Sequence, residues 1–316
     1  MTSEPKYPKI LVLLSTYNGE KYLADQLESL KKQKSVELYY LIRDDGSSDQ
    51  TLSILKKFSN DNPRSEVIEG TNVGLVQSFH QLLIHAYKQY SEIDYFAFCD
   101  QDDVWLEHKL ITGINKLQEM PSIKPSLYCS NLILIDENGN YLGEMRKRNS
   151  VSFSKASSLV ESISTGCTMI FNKKTIELYN IHTPTSMIMH DLWIYHTCLF
   201  LGNVYYDDTP HILYRQHGKN QIGAKATFSA KWKSRIRSLK NLKRQYFREN
   251  EAKTLLNTYD DLLMEKDKKL ISTVANYKEN LKSRIKLFFH TGYPDLRMSN
   301  REKDFWLKIR ILLGKV

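Results

Sequence analysis

Phe98-Cys99-Asp100-Gln101-Asp102-Asp103-Val104-Trp105 is the stretch on which the reading of this chain turns. The residues leading into it, Asp94-Tyr95-Phe96-Ala97-Phe98-Cys99, are aromatic and apolar without Gly or Pro and predict a short buried strand. Three carboxylates in four positions follow where that strand ends. Successive strand residues alternate faces, so Asp100 and Asp102 can share one side. Like charges this close resist joint ionisation unless a cation neutralises them. Magnesium or manganese suits such a group, being content with one or two carboxylates plus phosphate oxygens and waters. The plainer alternative is an Asp-rich turn capping a helix that starts near Leu106, because Asp is a favoured N-cap.

On either side of this stretch, strands and helices alternate. Lys9 to Leu14 is a continuous apolar run, as in a strand buried on both faces, and it ends in Ser15-Thr16-Tyr17-Asn18-Gly19. Tyr22, Leu23, Leu27 and Leu30 then recur at helical spacing. Val36 to Arg43 predicts a second strand, ending at Asp44-Asp45-Gly46-Ser47-Ser48-Asp49, with Asp49 placed to cap the next helix. Val67-Ile68 predicts a short strand, a helix runs to about Tyr90, and another runs from Leu106 to Met120. Strand-helix alternation with polar turns at strand ends predicts a mostly parallel sheet covered on both faces. Ligands bind such sheets at the carboxyl ends of the strands. After Pro125, the segments Ser126 to Asp136 and Tyr141 to Met145 predict a hairpin, and Ser164 to Phe171 a further strand. His190 to about Leu201 predicts a helix, followed by short strands at Val204-Tyr205-Tyr206 and Ile212-Leu213-Tyr214.

Charge divides the chain near residue 227. Residues 228–316 hold 22 Lys+Arg and 10 Asp+Glu, whereas the first 227 residues hold 23 and 26. The basic part contains amphipathic helical patterns: Phe228, Trp232, Ile236, Leu239, Leu242 and Tyr246 form one stripe, and Leu255 to Leu263, Leu281 to Phe289 and Phe305 to Leu313 predict three more. We therefore expect a catalytic domain over residues 1–227 and a basic helical extension over 228–316. No stretch approaches the ~20 apolar residues of a membrane span. The polar start, Met1 to Lys9, has no apolar run of a secretory signal. Cys99, Cys129, Cys167 and Cys198 are scattered in apolar runs without CxxC spacing, which predicts buried reduced thiols in a cytoplasmic protein.

The order of turns resembles the family-2 glycosyltransferases: Ser15 to Gly19 after an apolar strand, then Asp44 to Thr51, then Asp100 to Trp105. His190-Asp191-Leu192-Trp193 and Tyr214-Arg215-Gln216-His217-Gly218 are similar to later motifs of that family. The wording of Asp100 to Trp105 and Tyr214 to Gly218 resembles the bacterial rhamnosyltransferase-like branch. The resemblance covers roughly residues 9 to 225. It implies an α/β GT-A fold, a mostly parallel nucleotide-binding sheet flanked by helices, and inverting transfer from a nucleotide-sugar.

Site roles follow from the resemblance residue by residue. Thr16, Tyr17 and Asn18 would hold base and ribose, and Asp45 or its neighbour Asp44 would accept from the base ring. A carboxylate accepts from a uracil or thymine N–H. Asp100 would reach the ribose or metal waters. Asp102, with His217, would bind Mn2+ or Mg2+, and Arg215 would pair with phosphate. Asp103 is read as a cap for the next helix. Asp191 matches the catalytic base, and Gly166, Cys167, His190 and Trp193 belong to the sugar and acceptor region. One base suffices because a nucleoside diphosphate leaves without a strong acid, unlike the leaving group of a glycosidase.

The implied donor is a dTDP- or UDP-sugar, dTDP-L-rhamnose first, with UDP-glucose, UDP-galactose and N-acetylhexosamines as alternatives. The implied acceptor is a saccharide, lipid-linked, on a bacterial surface polysaccharide. The basic helices suit an anionic membrane surface at the inner face of the plasma membrane, or self-packing and a homo-oligomer. No nucleic-acid module is visible. Two other classes stay in view. A sugar-phosphate nucleotidyltransferase would need a Gly-rich basic phosphate loop after the first strand, where Thr16-Tyr17-Asn18 stands instead. A non-catalytic polysaccharide-assembly protein would not need both Asp102 and Asp191.

Overall fold

The computed structural model describes residues 7–217 and 247–314. The expected stripe from Phe228 to Tyr246 and Gly218, the last residue of the Tyr214 to Gly218 motif, lie outside the described residues. The chain divides into two compact units. One comprises Met1–Val151, Ser164–Ile181 and Met189–His217; the other comprises Ser152–Ile163, His182–Ile188 and Gly218–Val316. The second unit thus takes up two segments from within the first 227 residues, which a boundary read from charge does not reveal.

The first unit is built on a seven-stranded sheet. Its strands are β1 (Lys9–Thr16), β2 (Glu37–Asp44), β3 (Ser65–Glu69), β4 (Tyr95–Cys99), β6 (Ser126–Ser130), β9 (Ile170–Asn172) and β10 (Asn203–Asp207), in the order β10-β6-β9-β4-β1-β2-β3. β1, β2, β3 and β4 pair in parallel, as do β6 and β10, and only β9 runs against its neighbours. Ile10 to Leu14 are fully buried, which is why β1 reads as an unbroken apolar run. Helices α1 (Leu23–Lys31), α2 (Thr51–Asp61), α3 (Leu75–Gln89) and α4 (Lys109–Gln118) follow successive strands. α3 buries Phe79, Leu82, Leu83 and Ala86, an i, i+3, i+4, i+7 stripe. α6 (Lys173–Ile181) and α7 (His190–Leu201) complete this layer. α7 is apolar nearly all round, with Leu192 to Cys198 buried, as befits an enclosed helix.

A second, four-stranded sheet joins β5 (Val104–Trp105), β11 (Ile212–Arg215), β7 (Ile133–Ile135) and β8 (Tyr141–Glu144). Three sequence expectations are corrected by the two sheets. The run from Ser126 to Asp136 is not one arm of a hairpin: Asn131 ends β6, and β7 leaves for the other sheet, where it alone pairs with β8. Asn131 fixes this exit through Glu144 Oε2 and the Arg146 carbonyl and amide. The Ser164 to Phe171 segment is strand only at its end, because Gly166–Thr168 forms a 3-10 turn. The helix expected from Leu106 begins at Lys109 with His108 at its N-cap, since Val104 and Trp105 are drawn into β5. Asp103 is therefore not a helix cap.

In the second unit α5 (Lys155–Ser158) opens with a capping box formed by Ser154 and Ser157. Four longer helices follow, Phe247–Thr258, Glu265–Ala275, Leu281–Phe289 and Arg301–Leu312. Leu255, Tyr259, Ile271, Val274, Tyr277 and Leu287 are fully buried among them. Asn280 and Asn300 cap the last two helices through Lys282 and Lys303 backbone N–H groups. The Glu265–Ala275 helix lies between the sequence-read patterns and was not anticipated. No helix among the described residues is long and apolar enough to cross a membrane.

Candidate active site

Sheet register brings the polar turns to one edge. Thr16 pairs with Asp44 and Leu14 with Cys99, so Tyr17, Asp45 and Asp100 all emerge at the carboxyl ends of adjacent strands. β9 runs the other way, with Ile170 opposite Ala97 and Asn172 opposite Tyr95. Its beginning, not its end, therefore lies at this edge, which delivers Gly166 and Cys167 beside Asp100.

At the β1–β2 corner every carboxylate is committed. Asp44 accepts from the Thr16 hydroxyl at 3.0 Å and from the Ser47 amide and hydroxyl at 2.8 and 2.6 Å. Asp45 pairs with buried Arg43 and accepts from the Val73 and Gly74 amides at 2.9 and 2.8 Å. Arg43 in turn donates to Gln81, Ser78 and the Thr71 carbonyl. Gly46, at φ 77°, allows the turn between them. Asp44 and Asp45 are thus buried braces of the corner, each holding a neighbouring loop. Asn18, in the left-handed region at φ 47°, accepts from the Ser48 amide at 2.8 Å. Tyr17 is the open group here, its ring side chain exposed.

Gln101 was assigned no role from sequence, yet it ties the two turns together. Its Oε1 accepts from the Tyr17 amide at 2.8 Å, and its Nε2 donates to the Tyr17 carbonyl at 3.1 Å. A Cβ on residue 19 would stand 2.3 Å from Gln101 Oε1, so Gly19 leaves room for the clamp.

At the end of β4 the charges are less well met. Asp102 Oδ2 lies 2.7 Å from His217 Nε2, and the His217 ring stacks on Tyr22 with centroids 5.2 Å apart. Asp103 is fully buried; its Oδ1 accepts from the Arg215 amide at 3.1 Å, and its Oδ2 has no hydrogen-bond partner among the described residues. Ligand atoms of Asp100, Asp103 and Cys167 lie within 4.8 Å of one another, a grouping able to hold a metal ion. Burial, then the charges of Asp102 and Asp191, push the Asp100 carboxyl up to about 7. Burial, then Asp102 and Asp100, holds Asp103 well above the usual carboxylate range. Burial raises the Cys167 thiol well above its ordinary value, which keeps it protonated and a poor soft-metal ligand. Hard oxygen donors with one imidazole fit Mn2+ or Mg2+ better than zinc.

Arg215 is buried and used up as a brace. It donates to the Asp102 and Glu137 carbonyls and to Asp25 Oδ2, and its guanidinium lies 4.7 Å from the Tyr22 ring centroid. Phosphate pairing would require it to leave these partners. Tyr22, read from sequence only as part of an apolar stripe, is the shelf on which both Arg215 and His217 rest.

Asp191 stands in the first turn of α7. Its Oδ2 accepts from the Gly166 amide at 3.2 Å and its Oδ1 from the Leu192 amide at 2.7 Å. A Cβ on residue 166 would lie 3.3 Å from the Asp191 Cβ, so Gly166 permits this close approach. His190 and Trp193 are buried, which places them beneath the site rather than facing a sugar or acceptor. The His190 ring stacks on Phe79 at 3.8 Å and meets Phe98 edge-on at 4.7 Å, and neither nitrogen has a hydrogen-bond partner among the described residues. Burial, against a smaller opposing pull from Asp191, lowers His190 to about 4, so it is neutral at pH 7. Lys109 is a second concealed group: fully buried, its ammonium is 3.5 Å from the Trp105 ring centroid, and burial lowers it to about 8.

Known proteins similar to this chain are numerous. The family model for glycosyl transferase family 2 matches residues 11–179. The chain is 29% identical over 232 residues to a dTDP-rhamnosyl transferase, RfbG, of Shigella flexneri, covering 70% of this chain and 77% of the relative. The putative glycosyltransferase EpsE of Bacillus subtilis is 33% identical over 105 residues, 33% of this chain and 36% of that one. Among solved structures, S. aureus TarS 1-349 in complex with UDP-GlcNAc superposes with a TM-score of 0.57 at 20% identity, over 91% of this chain and 78% of that one. The chain spans 46% of the longer TarS chain. A mannosyltransferase from Pyrobaculum calidifontis, in complex with GDP-Man and Mn2+, gives 0.51 at 14% identity, over 98% and 87% of the two chains. These likenesses agree on the GT-A frame, and the family match spans more than half of the sequence: this chain belongs to glycosyl transferase family 2 and is a glycosyltransferase.

Proposed function

We propose that this enzyme is an inverting, divalent-metal-dependent transferase that moves L-rhamnose from dTDP-L-rhamnose onto a lipid-linked bacterial surface polysaccharide. The observation that carries the reading is Asp191, held by the Gly166 amide on the same sheet edge as the Asp100 to Asp103 cluster. The likeness to RfbG supports the rhamnosyl donor; UDP-glucose, UDP-galactose and UDP-N-acetylhexosamines are the alternatives.

Tyr17 offers its exposed ring to the base, while Thr16, Asn18 and the Asp44–Asp45 corner set the position of that loop. Asp102 and His217 would hold the cation, with Asp100 beside them. A divalent cation bound there supplies charge neutralisation for the departing nucleoside diphosphate. Asp191 takes the proton from the acceptor hydroxyl as its oxygen attacks the anomeric carbon, and the single displacement inverts that centre. The Gly166 and Leu192 amides fix the carboxylate for this step. The residue ranges 1–227 and 228–316 would separate the catalytic domain from an extension that keeps the enzyme peripheral to the cytoplasmic membrane face.

The test is thermal stabilisation of the purified protein by a panel of dTDP- and UDP-sugars, each with and without Mn2+, followed by product analysis. A metal-dependent shift with dTDP-L-rhamnose is expected, since ligand binding to the native state raises apparent stability by mass action. A shift with a UDP-sugar alone would replace the donor. No shift with any nucleotide or nucleotide-sugar would overturn the catalytic reading in favour of an assembly role.

A further inference from the structure

The helix Leu281–Phe289 packs in an unusual sense. Leu287 is buried, but Leu281, Ile285 and Phe289, spaced i, i+4, i+8, are exposed by 70%, 47% and 66%. Its apolar stripe therefore faces away from the unit it belongs to. The helix Arg301–Leu312 repeats the pattern: Trp306, Leu307 and Ile311 are buried, while Phe305 and Leu312, seven residues apart, are exposed, as is Leu313 just beyond. The Lys308 ammonium lies 5.8 Å from the Phe288 ring centroid, so the two helices meet beside these outer faces. Scattered exposed apolar residues need no explanation, but two adjoining stripes do.

Charge indicates what covers them. Residues 281–314 carry eight basic and three acidic residues, and Lys282, Lys286, Lys308 and Arg310 lie within the two helices themselves. A second copy would bring the same positive charge against the stripes. Residues 218–246 of this chain, with nine basic and no acidic residues, carry the same sign. Only an anionic partner complements the charge, and only one with an apolar interior accepts Phe289, Phe305 and Leu312.

We propose that these outer faces form a docking surface for an anionic phospholipid bilayer, the aromatic and aliphatic side chains entering the headgroup boundary and the lysines meeting lipid phosphates. This deepens the membrane-proximal reading above and rests on it for its purpose, since a lipid-linked acceptor is presented at such a surface. The geometry of the stripes is independent of the donor.

The experiment is sedimentation of the full-length protein with phosphatidylcholine vesicles prepared with and without phosphatidylglycerol, at low and high salt. Binding is expected only with phosphatidylglycerol, weaker at high salt. Ile285→Glu with Phe289→Glu should lower binding by about tenfold or more, and Lys282→Ala with Lys286→Ala by several-fold, both without a change in melting temperature because none of the four residues is buried. Equal binding by either double variant overturns the proposal, as does equal binding to pure phosphatidylcholine. A wild-type dimer in the absence of lipid that the glutamate pair converts to monomer also overturns it and assigns the face to a second copy. The nucleotide-sugar shift is measured on the same samples. Retained donor binding without vesicle binding removes only the docking surface, and vesicle binding without any donor shift removes only the transferase reading.

Discussion

Two groups of carboxylates share one sheet edge and are treated in opposite ways. At the β1–β2 corner, Asp44 and Asp45 are buried with every oxygen bonded, and Arg43 supplies the compensating charge. At the end of β4, Asp100, Asp102 and Asp103 crowd together; among the described residues one Asp103 oxygen is unbonded, and neutral His190, next to Asp191, and buried Lys109, near Asp103, have no hydrogen-bond partners. Buried polar groups are ordinarily satisfied, because an unmet one costs about 1–3 kcal/mol. The first corner therefore contributes rigidity. The second holds binding capacity in reserve, which is where a ligand can be gained. Similar Asp-rich turns in the sequence thus have different work to do, and the difference lies in the partners.

Substitutions in the two groups should differ in what they damage. Asp191→Asn should have the largest effect: kcat falls by about 10²–10⁴, the usual worth of a general base, while donor binding and melting temperature stay near wild type. Equal loss of donor binding in calorimetry would remove Asp191 from the base role. Arg43→Ala should instead strike stability, costing about 3–5 kcal/mol in a denaturant melt, because it leaves Asp45 charged, buried and unpaired. A cost within experimental error would show that the corner is not a brace.

Gln101→Ala removes both bonds to the Tyr17 backbone, at about 1 kcal/mol each at most. Donor KM should rise about tenfold with kcat nearly constant, since the base-binding turn loosens without altering Asp191. A fall in kcat alone would place Gln101 elsewhere in the mechanism.

A pH slope reports on the buried imidazole beside Asp191. His190 is lowered by burial to about 4, below its unfolded value near 6.5. The unfolded chain then takes the proton first, so its contribution to stability is present above pH 6.5 and is lost as pH falls from there to 4. His190→Phe keeps the stack on Phe79 and cannot be protonated. Its melting temperature should decline less steeply than wild type between pH 6.5 and 4, and parallel curves would refute the assignment.

Much of the fold was legible because burial on both faces leaves a one-dimensional trace. β1 and β4 appear as apolar runs, and α3 as a clear stripe. Where an element's fate depends on a distant partner, the trace fails. The Ser126 to Asp136 run looks continuous, yet its two halves belong to different sheets. Arg215 reads as a phosphate ligand until its bonds to Asp102, Glu137 and Asp25 are seen. Gln101 lay within the decisive stretch and carried no signal, because its partner is the backbone of Tyr17, 84 positions away.

Local composition and spacing alone account for the strand-and-helix alternation, the polar turns at strand ends and the charge break near residue 227. Pairing between distant segments is what makes β9 run antiparallel and so carries Gly166 to Asp191. The same pairing neutralises Asp45 while one Asp103 oxygen has no hydrogen-bond partner among the described residues, and it leaves the stripe at Leu281, Ile285 and Phe289 facing outward. Direction, partnership and exposure are properties of pairs of segments, and spacing within one segment does not encode them.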